Sequence, residues 1–337
     1  MNWWLPHNFE QKKTNLQIRM QIIKSVRSFF EEQGFWEVDT PSLQTMPCAD
    51  MHIHGFQTEY FGPDLKKQRD YYLHTSPEFE MKKLLVAGCP KIYQICKVFR
   101  NAENTKLHSP EFTMLEWYRG GADYKDIMRD CINLVRQASE NINLKRFMFD
   151  EFSSDPFLEW DIISVADSFE KYAKIPLVIE SLKGFAEAAE SIGVRVAETD
   201  KWDDVFHAVM AEKIEPNLGI GAPTILCDYP ASMACLSKKK ADDSRYAERF
   251  ELYICGVEIA NAFTELTDAK EQRGRFVQEM NDKKELYGIS YPLDEDFLEA
   301  LEHGMPEAGG IALGLDRLIM LACGASNIED VLWTAKP

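Results

Sequence analysis

Basic residues do not outnumber acidic ones in this sequence: 38 Lys and Arg face 55 Asp and Glu, a formal net charge of −17. A chain that drew its affinity from neutralising nucleic-acid phosphates would show the reverse balance. A local basic patch remains compatible with the count, which only lowers the odds of nucleic-acid binding. No apolar stretch approaches the ~20 residues that cross a bilayer, and Met1-Asn2-Trp3-Trp4-Leu5-Pro6-His7 has no basic region leading into an apolar run. The eight cysteines, at 48, 89, 96, 131, 227, 235, 255 and 323, form no CxxC pair and no Cys/His cluster. Zinc sites and disulfide frameworks need tight, repeated spacings, so buried thiols in a reducing compartment are expected. Internal repeats, low-complexity tracts and strong linkers are also missing. These absences point to a cytoplasmic protein with no membrane partner, read as one catalytic domain over residues 1–337 with a helical insertion at about 145–220.

What is present begins with apolar content: 45% hydrophobic and 12% aromatic residues, enough for a large core. Leu16, Arg19, Ile22, Ile23, Val26, Phe29, Phe30 and Gln33 recur at helical spacing, and Gly34 marks the stop. Phe35 to Thr40 reads as extended chain running into Pro41. Ser76-Pro77-Glu78 is a helix start, with a Ser cap, Pro at the first position and an acid in the first turn. Strands are expected at 91–100 and 111–119, a hairpin around Tyr253 to Val257, and a Gly-spaced strand from Gly309 entering an apolar helix. Hairpin-paired strands with helices between them give an α+β fold with a mainly antiparallel sheet.

The strand at 111–119 carries Phe112, Met114, Glu116 and Tyr118 on one face. A half-buried edge strand could explain that mixture alone. Arg100 ends the preceding strand, however, and the loop between brings in His108. A guanidinium for phosphate oxygens, an imidazole and an aromatic plate for a base fit a nucleoside triphosphate. Arg317 follows Gly310, Ala312 and Gly314, whose small side chains share a strand face and admit a ligand close to the backbone. Glu251, Glu258, Asn261 and Glu265 lie in otherwise apolar sequence. Buried carboxylates need partners, and Glu251 and Glu258, flanking the hairpin turn, suit Mg²⁺; structural ion pairs are the competing reading.

These segments resemble the three signatures of class II lysyl-tRNA synthetases. Gly34-Phe35 through Pro41 is similar to motif 1, the dimer-forming helix and strand; Phe99-Arg100 to Tyr118 to motif 2; and Gly310 to Arg317 to motif 3. The resemblance implies a class II synthetase catalytic domain and a homodimer. It implies that Arg100 and Arg317 contact the ATP phosphates, His108 the triphosphate tail, and Phe112 adenine, with Glu251 and Glu258 holding Mg²⁺. By the same resemblance Glu78, Tyr118 and Glu265 surround a substrate ε-ammonium, Glu116 faces the other amino group, and Asn261 lies near the carboxylate. Motif 2 departs at Ala102, which stands where an acid is expected; Glu103 is taken to reach adenine after a small loop shift.

Lysyl-tRNA synthetases carry an oligonucleotide-binding barrel before motif 1. Here the residues before Pro41 are used by the first helix, fewer than the ~50 a domain needs, so no anticodon-binding domain is expected. Ser76 stands where those enzymes have Ala, and Ala312 replaces the middle Gly of motif 3. In all three respects the chain resembles the elongation factor P–(R)-β-lysine ligase family, a truncated offshoot of the lysyl enzymes. That resemblance implies activation of (R)-β-lysine with ATP and transfer to a lysine on elongation factor P, with tRNA not the acceptor. The rival readings are a stand-alone lysine-activating domain that charges tRNA or another carrier, and an inactive regulatory paralogue.

Overall fold

The computed structural model describes residues 2–336. Its centre is an eight-stranded sheet in the order β1-β5-β6-β13-β12-β11-β10-β9. The members are β1 (Trp36–Glu37), β5 (Lys91–Phe99), β6 (Glu111–Gly120), β9 (Asp161–Ser164), β10 (Thr224–Pro230), β11 (Tyr246–Ile254), β12 (Val257–Thr264) and β13 (Ala308–Gly314). Six strands from β5 to β10 are antiparallel, and a short parallel strand closes each edge, β1 on β5 and β9 on β10. The α+β expectation holds. A smaller sheet combines β2 (Leu43–Gln44), β3 (Phe56–Phe61) and β4 (Lys67–Leu73), and β7 (Phe147–Phe149) pairs with β8 (Phe152–Ser154).

Alternation along β6 sorts the two faces of the sheet. Leu115 and Trp117 point into the main core with Ile22, Val26, Phe29 and Phe30 of α2 (Lys13–Glu32), Leu134 and Val135 of α4 (Tyr124–Asn141), and Leu318 and Ile319 of α10 (Leu315–Ala322). Glu116 and Tyr118 point the other way, where a second core forms from Phe79, Met81 and Leu85 of α3 (Glu78–Val86). It is completed by Phe276 of α8 (Ala269–Tyr287) and Phe297 and Leu298 of α9 (Glu295–Gly304). Between them these elements wall a cavity over the second face.

Two local details differ from expectation. Helix α3 starts at Glu78 with Pro77 just outside it, and Ser76 accepts from the Glu78 N–H through its hydroxyl at 3.1 Å, so the cap works one residue earlier in the chain than the turn it protects. The segment 145–220 carries α5 (Val165–Ser168), α6 (Leu182–Ser191) and α7 (Trp202–Val209) around a core of its own, with Phe169, Phe185 and Phe206 buried. It also supplies β9, which the main sheet needs for its edge. The remaining short helix, α1 (Pro6–Glu10), precedes α2.

Candidate active site

The cavity has a volume of about 380 Å³. Its floor follows from strand register, because directly opposed residues in antiparallel strands share a face. One row crosses the sheet as Gln94, Glu116, Ala312, Asn261 and Glu251; the next runs Ile92, Tyr118, Gly310, Phe263 and Arg249. Residues distant in sequence, on β5, β6, β13, β12 and β11, thus become neighbours. Ala312 sits between Glu116 and Asn261, so its methyl group occupies the centre of the floor.

At one end lie Arg100, Glu103, His108, Phe112, Glu258 and Arg317. The Arg100 guanidinium covers the Phe112 ring at 5.3 Å, a cation–π contact, and its Nε reaches the Thr75 carbonyl at 3.5 Å. Arg317 donates to the Glu258 carbonyl at 2.8 Å, and its Nη2 lies 2.6 Å from His108 Nε2. A guanidinium can only donate, so that His108 nitrogen accepts and Nδ1–H donates to the Thr105 hydroxyl at 2.7 Å. Burial, then Arg317 and Arg100, push the His108 pKa down to about 4. His108 is neutral in this setting. Ala102 adopts a left-handed backbone, φ 65°, which turns the chain so that Glu103 lines the cavity.

The opposite end is acidic. Glu116 is buried and accepts from the Tyr118 hydroxyl at 2.6 Å and the Ser76 hydroxyl at 2.7 Å. Burial, then the neighbouring Glu78, raise its pKa to about 7. Glu265 is not on the cavity surface. It sits behind Gly310 and Tyr118, and a Cβ on Gly310 would collide with its Oε1 and with the Tyr118 ring, so only glycine fits there. Both Glu265 and Glu78 pair with Lys82, at 2.5 Å in each case.

The metal-candidate acids lie on the side wall. Glu251 accepts from Tyr229 (2.5 Å), Tyr253 (2.7 Å) and Arg249 (2.7 Å). Glu258 is more open, with 43% of its side chain exposed and a carboxylate oxygen 3.7 Å from Arg317 Nη1. Among the described residues no group of three or more His, Cys, Asp or Glu is placed to hold a metal. Both Glu251 oxygens already accept hydrogen bonds, and Glu258 presents the more open carboxylate to the cavity. Hard oxygens of this kind suit Mg²⁺, which completes its shell with water and phosphate oxygens.

Three participants were given no role at the site from the sequence. Arg249 donates to Asn261 Oδ1 at 3.1 Å, to the Met233 carbonyl and to Glu251, leaving the Asn261 NH₂ for the cavity. Its alternation with Glu251 on one strand face was the available signal. Arg19, a cation on the apolar stripe of α2, pairs with buried Asp316 at 2.5 Å, and Asp316 accepts from Thr113 N at 2.7 Å. That buried pair ties α2 and β6 to the turn carrying Arg317. Lys82 falls one turn after Glu78 on α3, the spacing of a helical ion pair.

The family model for class II tRNA synthetases (D, K and N) matches residues 2–336. The chain belongs to that family. As a class II synthetase-family protein it is similar over nearly its whole length to proteins named elongation factor P–(R)-β-lysine ligase. Those from Edwardsiella ictaluri (41% identical over 319 residues), Pectobacterium atrosepticum (39% over 322) and Histophilus somni (38% over 318) each align over 94% of both chains. Among the described residues of this synthetase-family chain, no helix is long and apolar enough to cross a membrane.

Proposed function

We propose that this chain is an ATP-dependent ligase that activates (R)-β-lysine as its adenylate and transfers it to a lysine ε-amine of elongation factor P. The single observation that carries the reading is the charge arrangement along the cavity. Three carboxylates, Glu78, Glu116 and Glu265, cluster about one resident ammonium, Lys82, which pairs with Glu78 and Glu265 while Glu116 is bonded only to hydroxyls. When all three are ionised that end is short of two positive charges, the number a diamino acid brings. The raised Glu116 and Glu265 pKa values are what an acidic cluster awaiting cations shows. Arg100 and Arg317 stand at the other end, suited to a triphosphate. The names of the relatives supply the β-amino acid and the acceptor.

In the first half-reaction a carboxylate oxygen of the amino acid attacks the α-phosphorus, the bond to the β-phosphate breaks, and diphosphate leaves. Attack on an anion is repelled unless charge is neutralised as bonds change, the task of Arg100 and Arg317. Glu251 and Glu258 would hold Mg²⁺, which supplies further neutralisation of phosphate oxygens. Neutral His108 keeps Arg317 aimed while adding no charge of its own. Glu116 and Asn261, joined through Ala312, position the amino group and carboxylate. In the second half-reaction the acceptor ε-amine attacks the activated carbonyl, AMP leaves, and the amine gives up a proton as the amide forms.

The test is ATP–diphosphate exchange with (R)-β-lysine and α-lysine, followed by the mass of elongation factor P after incubation with protein, ATP and each amino acid. A gain of one lysyl mass with (R)-β-lysine is expected. Preferential exchange with α-lysine, or charging of bulk tRNA, would overturn the substrate or the acceptor respectively.

A further inference from the structure

Lys82 is a buried cation that the proposed chemistry does not use. Its side chain is 2% exposed, and its Nζ lies 2.5 Å from Glu78 Oε1 and 2.5 Å from Glu265 Oε2. The rings of Phe263 and Phe297 stand 5.2 and 6.0 Å from the ammonium and shut water out. A cation in such a place costs several kcal/mol to desolvate and persists only when its partners are well placed. A purely structural pair would be complete with one carboxylate. Here one ammonium serves two, drawn from α3 and from the end of β12, and each carboxylate keeps a second oxygen. For Glu265 that oxygen, Oε1, lies away from Lys82 against Gly310 and Tyr118, the residues that form the cavity wall in front of it. Glu78 itself lines the cavity.

We infer that Lys82 is a positioning residue for diamino-acid recognition: it ties one oxygen of Glu78 to Glu265 behind the Gly310–Tyr118 wall, leaving the other oxygen of Glu78, on the cavity surface, to receive the distal ammonium of the substrate. The inference rests on the diamino-acid reading above. Lys82 acts in two ways. It fixes the separation of two carboxylates on different elements, which sets how far from the floor an ammonium can sit. It also offsets repulsion within the cluster. The titratable groups facing it are Glu78 on α3, Glu265 after β12, and beyond them Glu116 and Tyr118 on β6, while α9 offers the Phe297 ring. Burial, against the pull of Lys82, already raises the Glu265 pKa to about 8. Without the ammonium, Glu116 and Glu265 would hold protons to still higher pH, and the cluster would bind a cation poorly near neutrality.

The experiment measures ATP–diphosphate exchange for the parent and for Lys82→Met from pH 6 to 9, with (R)-β-lysine and α-lysine. For K82M the KM of the accepted diamino acid should rise at least tenfold at pH 7.5 with the KM for ATP within twofold. The acid limb of its pH profile should move upward by about one unit or more. An unchanged amino-acid KM and profile, or equal increases in both KM values, would overturn the inference. If K82M does not fold, K82M/E265Q is compared with E265Q, since the double variant leaves no orphaned Glu265 carboxylate. A further tenfold rise in amino-acid KM on removing Lys82 is expected, and equal values would refute the role. A parent that exchanges with no diamino acid sinks the functional reading itself, a result separate from any outcome for the variants.

Discussion

His108 Nε2 lies 2.6 Å from the Arg317 guanidinium, an imidazole used as the acceptor for a cation. The contact requires a neutral ring, and burial with two nearby arginines lowers the His108 pKa from 6.5 to about 4. Between those values the unfolded chain binds the extra proton and the folded chain does not. The stabilising contribution is therefore complete above pH 6.5 and is lost as the pH falls toward 4. Thermal melts between pH 7.5 and 5 should show a steeper loss for the parent than for His108→Gln, which can still offer Arg317 an oxygen. Parallel curves would remove His108 as the cause.

Gly310→Ala inserts a methyl group where Glu265 Oε1 and the Tyr118 ring already sit. Overpacking of this kind costs typically about 1–3 kcal/mol. A lower Tm is expected, together with a larger rise in KM for the amino acid than for ATP, because the displaced groups belong to the acidic end.

Ala312→Gly removes the methyl group at the centre of the floor, between Glu116 and Asn261. The space gained lies where the amino and carboxylate groups of the substrate are proposed to sit. Exchange assays should show the ratio of kcat/KM for α-lysine over (R)-β-lysine rising several-fold. An unaltered ratio would mean that this methyl group does not select between them.

Glu258→Gln and Glu251→Gln should separate by stability. Glu258 is open, so its variant should melt near the parent temperature while needing several-fold more Mg²⁺ for half-maximal exchange. Glu251 accepts three hydrogen bonds, two of them from tyrosines, and an amide cannot accept them all with the same geometry. Its variant should lose about 1–3 kcal/mol of stability and at least about a hundredfold in exchange rate. Melting curves and Mg²⁺ titrations distinguish the two.

The motif 1 resemblance and one exposed side chain on that segment support a homodimer. Trp36, on β1 within the motif 1 segment, is 64% exposed, an apolar side chain that a second copy would cover. Light scattering should give twice the chain mass for the parent and a shift toward one chain mass for Trp36→Glu. A monomeric parent would end this reading.

Much of the fold could be read locally. Helical spacing marks α2, period-two alternation marks β6, and Cys255-Gly256, both at positive φ, make the tight turn between β11 and β12. The residues gathered along the cavity were also visible, because Arg100, Glu116, Glu251 and Arg317 are charges in apolar surroundings and such charges need a reason. What the sequence by itself determined was therefore the chemistry available: two guanidiniums, an excess of carboxylates and a glycine-spaced strand. Only the tertiary structure decided which of them meet. Register across four strands aligns Glu116, Ala312, Asn261 and Glu251 in one row, and sequence distance carries no information about that row. It also decided that Glu265 lies behind the wall with Lys82, since whether a carboxylate answers to a ligand or to the protein's own ammonium depends on which charges the fold brings within a few ångströms.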